Sequence, residues 1–182
     1  RCVPPDHPDS NFRMVRENLL AKIQIPPANI HRIMGEKEPR QAASAYEAEL
    51  KNFFGTGGGA LPRFDLIFLG LGDDGHTASL FPGTDAANET EHLVAVAYVE
   101  RLRSHRLTLT LPVINAAAQV MFLVSGKSKA AIVRAVLGSD ADSARYPAAM
   151  VRPCDGQLTW LMTADAATNL PPGALKALAV PA

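Results

Sequence analysis

Long apolar runs are absent from this chain of 182 residues. No stretch approaches the roughly 20 apolar residues that a membrane-crossing helix needs. The opening RCVPPDHPDS lacks the apolar core of a secretory signal. Cysteine is scarce: Cys2 and Cys154 form no C-x-x-C pair and show no metal-ligand spacing. A disulfide framework is thereby excluded, and free thiols in a reducing, cytoplasmic compartment are expected. Net charge is absent as well, because 18 Lys and Arg balance 18 Asp and Glu. With no basic stripe and no acidic block, nothing points to nucleic acid or to a membrane surface as a partner. No H-E-x-x-H pair of histidines is present, which argues against a metal site. The G-x-x-x-x-G-K spacing of a nucleotide loop is missing, and Ser125 lacks the G-x-S-x-G elbow of a serine hydrolase.

What is present is ordinary globular material: 47% hydrophobic and 20% charged residues. The length suits one domain with a substantial core, so residues 1–182 are read as a single α/β domain. The chain opens on Arg1 and runs directly into a Pro-rich loop. That reads as entry into the middle of a domain, with an edge of the sheet expected upstream.

Ser10 is placed to cap a helix over residues 11–23, with Phe12, Val15, Leu19 and Ile23 at helical spacing. A short strand is expected at Ile30–Met34. A second helix is expected over Arg40–Phe54, with Ala43, Tyr46, Leu50 and Phe54 on one face. The segment GTGGGALP, residues 55–62, reads as a flexible loop, since its glycines lack the strand-then-helix setting of a dinucleotide fingerprint.

Strands are expected at Phe64–Leu69, Leu93–Val99, Arg106–Leu111, Val120–Val124 and Leu158–Met162. RLTLTL alternates, which places Leu107, Leu109 and Leu111 on one face and Arg106, Thr108 and Thr110 on the other. VMFLV reads as a fully buried strand, followed by a helix over Lys127–Leu137. A short helix is expected near Asp165. Apolar strands separated by helices predict a mostly parallel sheet covered on both faces.

The chemistry concentrates in LIFLGLGDDGHTASLFPG, residues 66–83. A buried strand gives way to Gly70, Gly72 and Gly75, then Asp73, Asp74 and His76. Ligands bind beyond the carboxyl ends of strands in open α/β sheets. Histidine, with an unperturbed pKa of about 6.5, exchanges protons there near neutral pH. Asp74 is placed to fix the imidazole tautomer, and the turn's N–H groups are placed to hold an anion or oxyanion. Lys127 and Lys129 follow another strand end at the start of a helix, a position that favours phosphate. Arg106 suits bidentate phosphate recognition. Arg101 and Arg103 read as surface charges. His7 sits beside Asp6 and Asp9, while His31, His92 and His105 read as structural.

These residues resemble a known family. GLGDDGHTASLFPG looks like the signature of 6-phosphogluconolactonases. RCVPPDHPDSNF, IPPANIHRI, RLTLTLPVINAA, FLVSGKSKA and VRPCDGQLTWL agree in order, so the likeness covers nearly the whole chain. The resemblance implies a three-layer α/β/α fold with a Rossmann-like sheet, related to glucosamine-6-phosphate deaminases and ribose-5-phosphate isomerases. It implies hydrolysis of a sugar-phosphate lactone, 6-phosphoglucono-δ-lactone, with no cofactor and no metal.

By the same resemblance His76 matches the family's general base and Asp74 its acidic neighbour. Arg106 and Lys129 fall where phosphate-binding cations lie, and Gly72 lies in the substrate turn. Arg1 matches the arginine of an Asp-Glu-Arg motif whose acidic residues, with a strand–loop–helix portion, are expected upstream. In the related deaminases the signature continues D-G-H-x-A-F-N-E-P, and Phe81 stands here at the glutamate position. A phenyl ring cannot carry a proton, which argues against amine chemistry. A non-catalytic phosphosugar sensor is the other reading; retention of His76 beside Asp74 favours an enzyme. No feature sets an oligomeric state, and a monomer is compatible with the sequence.

Overall fold

The apolar strand around the fully buried Phe122 supplies the centre of the molecule. The computed structural model describes residues 1–138 and 145–171. β1 (Ile67–Leu69) lies beside β4 (Gln119–Val124), and β4 beside β5 (Gln157–Met162), all parallel, in the order β1-β4-β5. Parallel neighbours need a crossover, and α4 (Ala130–Leu137) follows β4 on the way to β5. The register sets Leu69 beside Phe122 and Phe122 beside Trp160. Phe122 and Trp160 stack with centroids 3.9 Å apart and planes 2° from parallel. Ile132, Val133 and Val136 of α4 complete this core together with Leu80, Leu111 and Ile114.

A second unit stands against the first. β2 (Val94–Val99) pairs antiparallel with β3 (Ser104–Leu109), forming a two-stranded ribbon. Only four residues separate the strands: a 3-10 turn at Glu100–Leu102, then Arg103 in the left-handed region at φ 44°. So short a connection permits a hairpin and excludes a parallel crossover. The ribbon packs on α2 (Pro39–Phe54) through Ala42, Ala43, Leu50, Leu93, Val94 and Leu107. α2 begins at Glu38, whose carboxylate accepts the Gln41 N–H, and ends at Gly55 in the left-handed region at φ 62°. Phe64 and Leu109 touch both clusters and tie the two units together. The class is α/β, the three-layer α/β/α arrangement around a mostly parallel sheet.

Several expectations need correction. The first helix, α1, covers only Asn11–Asn18; a 3-10 turn at Leu20–Lys22 follows. Ser10 does cap it, accepting the Arg13 N–H at 3.2 Å. Residues 30–34 form no strand: a 3-10 turn at Pro27–Asn29 precedes them, and among the described residues no neighbour pairs with them. RLTLTL leaves the ribbon at Leu109, and α3 (Leu111–Asn115) starts at Leu111 with Pro112 in its first turn. Proline presets helical φ there and needs no N–H partner. The expected helix at Lys127 opens as a 3-10 turn over Lys127–Lys129. Around Asp165 the chain makes turns rather than a helix.

The strand VMFLV is buried on one face only. Val120, Phe122 and Val124 point into the core, whereas the alternate face bears Phe68 at 60% and Leu161 at 52% exposure, with Leu123 between them. Period-two alternation dictates this division.

Phe122 is fully buried and sits in the middle strand, so truncation cannot be relieved by local collapse. Phe122→Ala is expected to cost about 3–5 kcal/mol, read by urea unfolding. A loss under about 1 kcal/mol would show that the stacked pair is not a core element.

Candidate active site

The end of β1 delivers a turn closed on itself. Gly72 N–H donates to the His76 carbonyl at 2.9 Å, and Gly75 N–H donates to the Gly72 carbonyl at 3.0 Å. Thr77, fully buried, donates its hydroxyl to the Gly70 carbonyl at 2.9 Å. Ala148 N–H donates to the Gly75 carbonyl and anchors the outer side. Gly75 adopts φ 78°, which glycine reaches without penalty, and an added Cβ would overlap Tyr146. Ala78, also at positive φ (49°), turns the chain sharply after the histidine. Ser79 N–H then donates to Thr108 Oγ1 of β3 at 3.2 Å, linking the turn to the ribbon.

Asp74 and His76 form a pair within this turn. His76 Nδ1 lies 2.5 Å from Asp74 Oδ1, which also accepts the His76 backbone N–H at 3.2 Å. Burial pushes the Asp74 carboxyl up. Hydrogen bonds from the His76 ring and backbone, with the charges of His76 and Arg101, outweigh that and hold it below its ordinary value. An ionised Asp74 makes Nδ1 the protonated nitrogen, so Nε2 keeps its lone pair. The imidazole side chain is 27% exposed, enough for a water or substrate atom to reach it. Phe81 stacks on the ring, centroids 4.2 Å apart and planes 29° apart.

The role of Gly72 is close approach. A Cβ at this position would overlap the imidazole ring and stand 2.8 Å from Asp74 Oδ1. The N–H groups of Gly72, Gly75 and His76 are all engaged inside the turn, so none of these three is turned outward for an oxyanion.

β1 and β4 are neighbours, so the segments leaving their carboxyl ends lie side by side. Lys129, after β4, reaches Asp73 with Nζ 2.5 Å from Oδ1. Lys129 and His76 line one cleft of about 720 Å³ with Gly72, Ser79, Thr108 and Asn11. Lys127 is exposed.

Arg106 lies on β3, two residues before Thr108. Its Nε is buried with no hydrogen-bond partner. Burial first, then the like charge of Arg1, lower its pKa from the ordinary value. Arg1 in turn donates to the Asp9 carbonyl at 3.1 Å and contacts its carboxylate at 3.4 Å. His7 Nδ1 accepts the Asp9 N–H in the same loop. A second cleft, about 470 Å³, is lined by Arg1 and meets the first at Asn11, Val15, Ile33 and Leu107. Cys2 and Cys154 are free thiols, and no group of His, Cys, Asp and Glu suited to a metal occurs among the described residues.

Two residues at this site were not predicted there. Arg101, read as a surface charge, pairs with Asp74 through Nη2 and Oδ2 at 2.6 Å. Phe81, read only as a missing glutamate, forms the wall of the histidine. The Arg101 contact has no local signal, since it depends on where the ribbon docks, whereas the Phe81 stack is set by the fold of the turn itself.

The structure thus sets a carboxylate–histidine pair at the carboxyl end of a parallel strand, with Arg101 and Lys129 on two sides. A family model described as glucosamine-6-phosphate isomerases/6-phosphogluconolactonase matches residues 1–160. The chain belongs to that family. It is 46% identical over 173 residues to a 6-phosphogluconolactonase of Synechocystis, covering 94% of this chain and 71% of the relative. It is 40% identical over 171 residues to that of Nostoc, covering 93% and 70%. The solved 6-phosphogluconolactonase from Trypanosoma cruzi superposes with a TM-score of 0.81 at 31% identity, covering 93% of this chain and 69% of that one.

Gly72→Ala is expected to destabilise by about 1–3 kcal/mol in urea unfolding, because the new methyl must displace the imidazole or the turn. Gly70→Ala is the control. Nothing lies within 4 Å of its added Cβ, and its change should stay within about 0.5 kcal/mol. Equal effects at the two positions would remove the close-packing argument.

Proposed function

We propose that this chain hydrolyses 6-phosphoglucono-δ-lactone with His76 as general base. The enzyme is a hydrolase of the oxidative pentose phosphate route, acting on a sugar-phosphate lactone. The observation that carries the mechanism is the Asp74–His76 bond beside a cleft that Lys129 also lines. A lactone carbonyl is already electrophilic, so one base and one water suffice. His76 Nε2 takes a proton as the water oxygen attacks the carbonyl carbon. Asp74 accepts Nδ1–H throughout and stabilises the imidazolium that forms. The ring C–O bond then breaks, and His76 returns the proton to the departing ring oxygen, which becomes a hydroxyl. The acyl end of the same opened chain is now a carboxylic acid, which releases its remaining proton to solvent near neutral pH and leaves as a carboxylate.

Arg106, Arg1 and Lys129 are the cations offered to the phosphate. Arg106 is the strongest of the three on physical grounds, since a buried donor without a partner beside a like charge is relieved by an anion. Lys129 is held by Asp73, an exposed carboxylate that a doubly charged phosphate can displace. The Phe81 ring against His76 gives the site an apolar wall and no second proton carrier, which suits ester hydrolysis and not deamination. No helix among the described residues is long and apolar enough to cross a membrane. A cytoplasmic location is part of this proposal.

His76→Gln is expected to lower kcat by about two to four orders of magnitude after spontaneous hydrolysis is subtracted. The wild type should release no ammonia from glucosamine 6-phosphate. Activity of the variant within a few-fold of wild type would remove His76 from the chemistry. Arg106→Ala or Lys129→Ala should depress kcat/KM on the phosphorylated lactone at least about tenfold more than on glucono-δ-lactone, a charge-assisted contact's worth. Matched losses on the two substrates would mean that neither residue reads the phosphate.

A further inference from the structure

We propose that Arg101 is a positioning residue for the reaction, holding Asp74 and Phe81 from behind so that the His76 ring stays fixed. The inference rests on His76 being the base. Arg101 comes from the turn joining β2 to β3, a different segment from the one that carries the pair. Its Nη2 binds Asp74 Oδ2 at 2.6 Å. Asp74 Oδ1 is thereby left to the His76 ring and backbone N–H. The same guanidinium lies over Phe81, Cζ 5.5 Å from the ring centroid, and the Phe81 ring in turn stacks on the imidazole. Four side chains thus close a ring, Arg101–Asp74–His76–Phe81, in which each touches two others. A planar donor fork and a flat cation suit Arg101 to both contacts at once.

Without Arg101, the Asp74 carboxylate can swing about its Cβ–Cγ bond, because Oδ2 has no other protein donor among the described hydrogen bonds. The imidazole would then sample other orientations and the other tautomer. The Arg101 side chain is 57% exposed, so the ion pair adds little to folding. The expected effect is accordingly on turnover and not on stability.

The test compares Arg101→Gln in wild-type and Asp74→Asn backgrounds, assayed on the phosphorylated lactone at high enzyme concentration. Arg101→Gln should lower kcat roughly tenfold, the cost of modest misplacement of a reacting group. KM should stay within about twofold and the unfolding midpoint should be unchanged. In the Asp74→Asn background the same substitution should cost less than about twofold, because the residue acts through that carboxylate. Imidazole nitrogen chemical shifts should show one dominant tautomer of His76 in wild type and a mixture in Arg101→Gln. The inference is overturned by a kcat within about twofold of wild type, by a loss confined to KM, or by the full loss recurring in Asp74→Asn. His76→Gln is assayed alongside. If it retains activity, the base assignment fails; if it is inactive while Arg101→Gln is unimpaired, only the role of Arg101 fails.

Discussion

The bond between Asp74 and His76 is the constraint on which the site depends. A carboxylate and an imidazole two residues apart meet only if the backbone between them bends tightly, and here it does so by hydrogen-bonding to itself. Two positions of the bend call for glycine: Gly75, at positive φ with Tyr146 where a Cβ would stand, and Gly72, where a Cβ would meet the imidazole ring. The hydrogen bonds that make the bend also occupy the N–H groups of Gly72, Gly75 and His76. The turn therefore orients the imidazole at the expense of those three donors. The surrounding arginines and lysine supply the positive charge.

The packing explains why the turn is rigid. It leaves a strand that is itself tied to the middle of the parallel sheet. Buried Leu80 and Thr77 root its far end, and Tyr146 closes over Gly75. The ribbon contributes twice, through Thr108 to Ser79 N–H and through Arg101 to Asp74. Sheet and ribbon are joined by shared core residues such as Leu109 and Phe64. The geometry of the base is thus set by the docking of two units, and a loosened ribbon would loosen the histidine.

How much of this is legible in the sequence follows from the range of each interaction. Ser10 as a cap, the apolar face of α2 and the apolar strand VMFLV are local patterns, and each appears where the periodicity places it. His76 beside Asp74 is also local, two residues apart after a strand. Failures occur where tertiary partners decide. Residues 30–34 have strand-like composition but no neighbour to pair with. RLTLTL alternates through Leu111, yet Pro112 and the core draw Leu111 into a helix. Arg101 sits among Arg103 and Arg106 in a charged stretch, and nothing in that stretch distinguishes the one that meets Asp74. A run of apolar residues also says nothing about which face is covered, so the exposure of Phe68 and Leu161 could not be read in advance.

The electrostatics reveal what kind of ligand the cleft fits. Arg1 has its carboxylate in Asp9, and Lys129 has Asp73. Both acids are largely exposed, so the pairs are weak and open to exchange. Arg106 is different: its Nε is buried, its neighbour Arg1 carries the same sign, and among the described residues no carboxylate bonds to it. Leaving a buried charged donor without a partner costs roughly 1–3 kcal/mol or more, and folding does not select such a cost unless something repays it. In the proposed function, an anion between Arg1 and Arg106 would do so by supplying acceptors to both. Binding energy gathered there, away from the carbonyl, would serve in that proposal to fix the substrate ring against His76. In that proposal Arg1 and Arg106 hold the substrate by its charge, while Asp74 orients the His76 ring for the proton.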